Sequence, residues 1–190
     1  MWAVAVMGLF APPAEARWLV RTIGQDVFGE PEKAHAQVYS PAKNVLFIEC
    51  NAADHLRLRL FFRANPSTIK EFSEALSEES QKTASPHRRQ RRSAPQDKPQ
   101  SKTAKLLIKI DNGDVITFDD ATLAKVVDPP MIGATVEGRK PSLMSVIRAI
   151  ESAKKSINAG FEFKGIRKSE EFEVTGAANA IKTVTKQCKL

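Results

Sequence analysis

The chain has 190 residues, of which 42% are hydrophobic and 27% charged. That supports a folded domain with a sizeable core and excludes a wholly disordered chain. The net charge of +7 is local: from Lys82 to Lys105 there are eight Lys or Arg against one acid, Asp97, so a positively charged fold is excluded.

In chain order, Trp2–Phe10 is an apolar run too short to span a bilayer, and Pro12-Pro13 ends it. Ala14-Glu15-Ala16 then places small residues at the two positions a signal peptidase reads. The pattern predicts a signal peptide over 1–16 and a mature chain from Arg17, although no Lys or Arg precedes Trp2. The alternative is a buried N-terminal helix or strand. No later stretch is long and apolar enough for a membrane span.

Trp18–Ile23 reads as a first strand, Ala36–Tyr39 as a short second one, and Val45–Glu49 as a central strand. In His55–Arg63 the residues Leu56, Leu58 and Leu60 alternate with Arg57 and Arg59, which predicts a half-buried strand with a solvated arginine face. The short polar link Asn51–Asp54 predicts a hairpin between the last two. Pro66-Ser67-Thr68 opens a helix with Ile69, Phe72 and Leu76 on one face and Glu71, Glu74, Glu78 and Glu79 on the other.

Lys82–Ala104 holds no large apolar residue and is punctuated by Pro86, Pro95 and Pro99. Such a segment cannot offset the entropy of being ordered, so it reads as a disordered loop inside the domain. Leu106–Ile110 and Val115–Phe118 flank Asp111-Asn112-Gly113-Asp114, a hairpin turn with both central residues expected at positive φ. The same four residues lack the spacing and distal Glu of a calcium loop. Val136 lies in a weak strand. Ser142 is expected to cap a helix carrying Leu143, Val146, Ile147 and Ile150. Ile157–Phe163 and Phe172–Val174 are strands, and Thr175 opens a last helix with Ala177, Ile181, Val184 and Cys188 on one face. The order predicts an α+β fold with a mainly antiparallel sheet, two to three packed helices and one domain over 17–190, with 82–104 as its insert.

The two cysteines, Cys50 and Cys188, suggest a disulfide in an oxidising compartment, with two buried reduced thiols as the alternative. The histidines are His35, His55 and His87. None stands in a catalytic or metal-ligating motif, no G-x-S-x-G occurs, and no glycine-rich phosphate loop occurs. A Cys50–His55 dyad across the hairpin is conceivable, but Cys188 competes for the thiol. No catalytic residue, cofactor or metal ligand is therefore assigned. Arg88, Arg89, Arg91 and Arg92 form the densest charge cluster and are the candidate polyanion contact. Without an aromatic beside them, specific nucleic-acid recognition is not expected.

Taken together, Trp18, the apolar strand ending in Cys50, the leucine-alternating strand, Ile110-Asp111-x-Gly113 and the ending Phe172-Glu173-Val174-Thr175-Gly176-Ala177-Ala178-x-Ala180-Ile181 … Cys188 carry a resemblance. The chain resembles small exported proteins of Gram-negative bacteria, including type VI secretion-associated ones, over most of Arg17–Leu190 outside the insert. The resemblance implies a periplasmic accessory role and a disulfide between the matching cysteines, and carries over no catalytic residue. The expected function is a periplasmic or secreted binding protein whose protein partner is unknown. The alternatives are a secreted hydrolase of cell-wall material and weak contact with anionic surfaces through the insert.

Overall fold

The computed structural model describes residues 17–23, 33–51, 55–82, 103–126, 128–138 and 140–187; at 23, 51, 55 and 75–82 only the backbone is described. The expected signal segment, the arginine cluster of the insert and Cys188 lie outside these residues.

The described residues form nine strands and three helices: β1 (Leu19–Ile23), β2 (Lys33–Tyr39), β3 (Val45–Asn51), β4 (His55–Arg63), α1 (Pro66–Lys82), β5 (Thr103–Ile110), β6 (Ile116–Val126), β7 (Met131–Glu137), α2 (Pro141–Ser152), β8 (Ser156–Phe163), β9 (Ile166–Glu173) and α3 (Ala177–Gln187). All strands join one sheet in the order β1-β2-β3-β4-β7-β6-β5-β8-β9, with every neighbouring pair antiparallel. The α+β class and the mainly antiparallel sheet are as expected.

Alternation along each strand divides the sheet into an inner and an outer face. Inner-facing Ala34, Ala36, Val38, Leu46, Ile48, Cys50, Leu56, Leu58 and Leu60 are fully buried. Helix residues Leu143, Val146, Ile147 and Ile150 of α2 and Ala177, Ala180, Ile181 and Val184 of α3 belong to the same cluster. From α1, Phe72 meets Phe161 edge-on and Phe163 at a tilt, both on β8, at 6.4 and 5.8 Å between ring centres, and Phe62 of β4 meets Phe161 at 5.5 Å. Strands four places apart in the sheet order thus touch across the core, so the sheet curls strongly. Truncating a ring such as Phe72 to Ala would cost about 3–5 kcal/mol.

The curl also brings the two ends of the sheet together at one corner. The Trp18 indole N–H donates to the carbonyl of Glu173, at the end of β9, at 3.0 Å. The Trp18 backbone N–H donates to Thr175 at 3.3 Å. Asn44, in the β2–β3 turn, donates to Glu170 of β9 and accepts from the backbone of Arg63.

Several local expectations are corrected. The β5–β6 turn is not the two-residue type with positive φ at its centre: the chain takes φ of 50° at Asp111, five residues join the strands, and the Gly113 N–H closes onto Ile110. The residue preceding α2 is Lys140, with Pro141 opening the helix and no side-chain cap, so Ser142 does not cap it. Pro suits that place because the first helical N–H has no partner in any case. α3 begins at Ala177 rather than Thr175, after Gly176 at φ of 84°. β6 runs eight residues beyond Phe118, and β9 begins six residues before Phe172. Their many charges hide the apolar alternation that marks a strand.

Candidate binding surface

The outer face of β1–β4 and β7 carries a row of side chains aligned by the register: Arg21, His35, Glu49, Arg57 and Glu137, one from each strand. A second row holds Gln37, Phe47, Arg59 and Thr135. The Arg57 Nε donates to Glu137 at 2.9 Å. Arg59 reaches diagonally to Glu49 at 3.2 Å and lies 5.9 Å from the centre of the Phe47 ring. On the other side of Phe47, the His35 ring stacks at 4.8 Å.

This corrects the reading of Arg57 and Arg59 as a freely solvated face. The side chains are 29% and 30% exposed, and Glu49 only 16%. The Arg59 Nε is buried without a hydrogen-bond partner among the described residues. Sequence alternation places both arginines on one face. It cannot show which acids the neighbouring strands set beside them, because that depends on register.

Arg21 ends the row on the edge strand and makes no ion pair among the described residues. Beside it, burial holds the His35 imidazole below its ordinary value; Glu49 opposes that shift and Arg21 adds to it. Among the described residues His35 makes no ion pair; Glu49, its register partner, is bonded to Arg59.

A groove of about 660 Å³ crosses the outer face of β5, β8 and β9, floored by Leu107, Gly160 and Ser169, with Val115 and Lys109 at one side and Arg167 at the other. Among the described residues no histidine or cysteine lines it, and Glu162 is paired with Arg167 at 3.0 Å. No group of three or more His, Cys, Asp or Glu that could hold a metal occurs among the described residues.

Asp111 has a structural part that the turn motif conceals. Its carboxylate accepts from the backbone N–H groups of Lys154, Lys155 and Ser156, at 3.1, 2.7 and 3.2 Å, fastening the α2–β8 link. The bonds from Lys155 and Lys154, the largest causes, hold its carboxyl below the usual range. No local signal reveals this, because the donors lie more than forty residues away.

Cys50 is fully buried on the inner face of β3, and no cysteine among the described residues is a free thiol. Its register partner is Leu56, while His55 pairs with Asn51. α3 packs over β2 and β3 and ends at Gln187, next to Cys188 in sequence. Among the described residues no helix is long and apolar enough to cross a membrane.

No protein-family model and no curated protein matches the chain. Among solved structures it is similar to the crystal structure of invasion associated protein B from Bartonella henselae, at 12% identity over 91% of this chain and 87% of that one, with a TM-score of 0.32. A likeness of that size carries no argument about fold or function.

Proposed function

We propose that the chain is an exported accessory protein of the periplasm or cell exterior, which acts by holding a protein partner on its surface rather than by catalysis. In this reading residues 1–16 are removed and residues 17–190 fold as one domain closed by a Cys50–Cys188 disulfide. The observation that carries it is the state of Cys50: fully buried, not a free thiol, and on the strand that α3 covers. A covalently used cysteine belongs to an oxidising compartment, and cytosolic proteins rarely keep one. The pairing of β4 with β7 supports one folding unit, since it joins strands from either side of the insert. The resemblance to small exported proteins of Gram-negative bacteria points the same way.

The experiment is the intact mass of protein recovered from its native cells. The expected chain begins at Arg17 and is two hydrogens lighter than its fully reduced form. Recovery of Met1, or two titratable thiols in the denatured oxidised protein, overturns the reading. Cys50→Ala should cost about 2–5 kcal/mol in denaturant unfolding, as loss of a native bridge does.

A further inference from the structure

The sheet has two edges, and they are built differently. β9 carries Arg167, Lys168, Glu170, Glu171 and Glu173 among its eight residues. Dense charge of both signs is how natural edge strands discourage pairing with another chain. β1, Leu-Val-Arg-Thr-Ile, carries one charge and neither Pro nor acid. Side chains 19–22 are exposed on both faces, with Leu19 at 45% and Val20 at 39%. Tyr39 on β2, also exposed, extends the apolar area beside Leu19. β1 pairs only with β2 among the described residues, so alternate N–H and C=O groups turn away from the sheet.

The charge row says what would suit this edge. Outward from Glu137 the row runs acid, arginine, acid, histidine, arginine, and it stops at Arg21 on the edge strand. A further strand bringing an acid beside Arg21 would give it the kind of partner that Glu137 gives Arg57.

We propose that β1 is a strand-addition site for an extended segment of a partner protein, paired antiparallel, with an acidic residue opposite Arg21 and apolar residues opposite Val20 and Leu19. Main-chain hydrogen bonds along β1 supply the attachment, and the alternating side chains supply selectivity. Leu19 and Arg21 read the partner on the outer face, Val20 on the inner face. The proposal rests on the accessory-protein reading and names the surface it uses.

The test uses the full chain from native cells and the capped peptide Thr-Thr-Glu-Val-Val-Thr, whose Glu would face Arg21 in antiparallel register. A second peptide has Lys in place of Glu. NMR titration should show saturable shifts confined to β1 and β2, with the Glu peptide bound at least tenfold more tightly. In Arg21→Glu the preference should reverse in favour of the Lys peptide, a charge-swap rescue that a merely unfolded variant cannot give. Absence of saturable binding at millimolar peptide overturns the proposal, as do shifts centred on β9 or an unchanged preference in Arg21→Glu. Protection, in the free monomer, of the β1 amides that point away from β2, or a dimer abolished by Arg21→Glu, overturns it by showing that the chain itself or a second copy occupies the edge. If photo-crosslinking in cells captures the same partner with wild type and with Leu19→Lys/Val20→Lys/Arg21→Glu, the accessory reading stands and the edge proposal falls.

Discussion

β1 and β9 are the first and last strands of one sheet, and they meet at Trp18, yet they treat solvent in opposite ways. β9 buries little besides Phe172 and surrounds it with charge, so its free edge is costly to approach. β1 leaves apolar side chains exposed on both of its faces and ends a row of polar and charged side chains on Arg21, which makes no ion pair among the described residues. Position in a sheet therefore does not determine how an edge behaves. The side chains on the edge do, and so do the charges that the register aligns beside them.

The largest effect should come from cutting the corner where the edges meet. The Trp18 ring is 7% exposed and its N–H is bonded to β9, so Trp18→Ala should cost about 3–5 kcal/mol in chemical unfolding. Amide exchange should accelerate in β1 more than in β9, since eight register pairs hold β9 to β8 and only five hold β1 to β2. A loss below about 1 kcal/mol would show that the strands close without the tryptophan.

Exchanging the character of the two edges should produce an intermediate effect. Lys168→Val with Glu171→Val strips charge from β9 and should give concentration-dependent association in sedimentation velocity. Leu19→Lys with Val20→Lys should leave the protein monomeric and its stability within about 0.5 kcal/mol, because both side chains are already exposed. Association of the β1 variant, with the β9 variant monomeric, would invert the comparison.

The smallest effect concerns pH. His35 titrates below its ordinary value of 6.5 in the folded state, so the unfolded chain takes up the proton more readily. Its contribution to stability is present above pH 6.5 and is lost as acid drives protonation against burial and Arg21. The midpoint of thermal unfolding should fall less between about pH 8 and about pH 5 in His35→Gln than in wild type. Equal slopes would show that the β1–β2 boundary does not sense protonation.

Much of the element order was legible in the sequence because burial has a period. The leucines of β4 and the apolar stripes of α2 and α3 recur at strand and helix spacing. The first six residues of β9 and the second half of β6 were not legible as strands, because they expose most of their side chains and carry charges where alternation would show. The candidate surface was legible only in fragments. Arg57 and Arg59 could be placed on a face, but Glu49, Glu137, His35 and Phe47 come from three other strands.

By itself the sequence determined where apolar chain must be buried, that the positive charge is local, that two cysteines are available and that no familiar catalytic motif is present. Tertiary structure alone decided that Trp18 ties β1 to β9, that Asp111 fastens a link more than forty residues away, and that Arg21 stands at the edge end of a row of charged and polar side chains. The physical reason is range. Burial periodicity acts between neighbours a few residues apart, whereas hydrogen bonds and ion pairs need atoms within a few ångströms, and only the strand register and the curl of the sheet bring these residues that close.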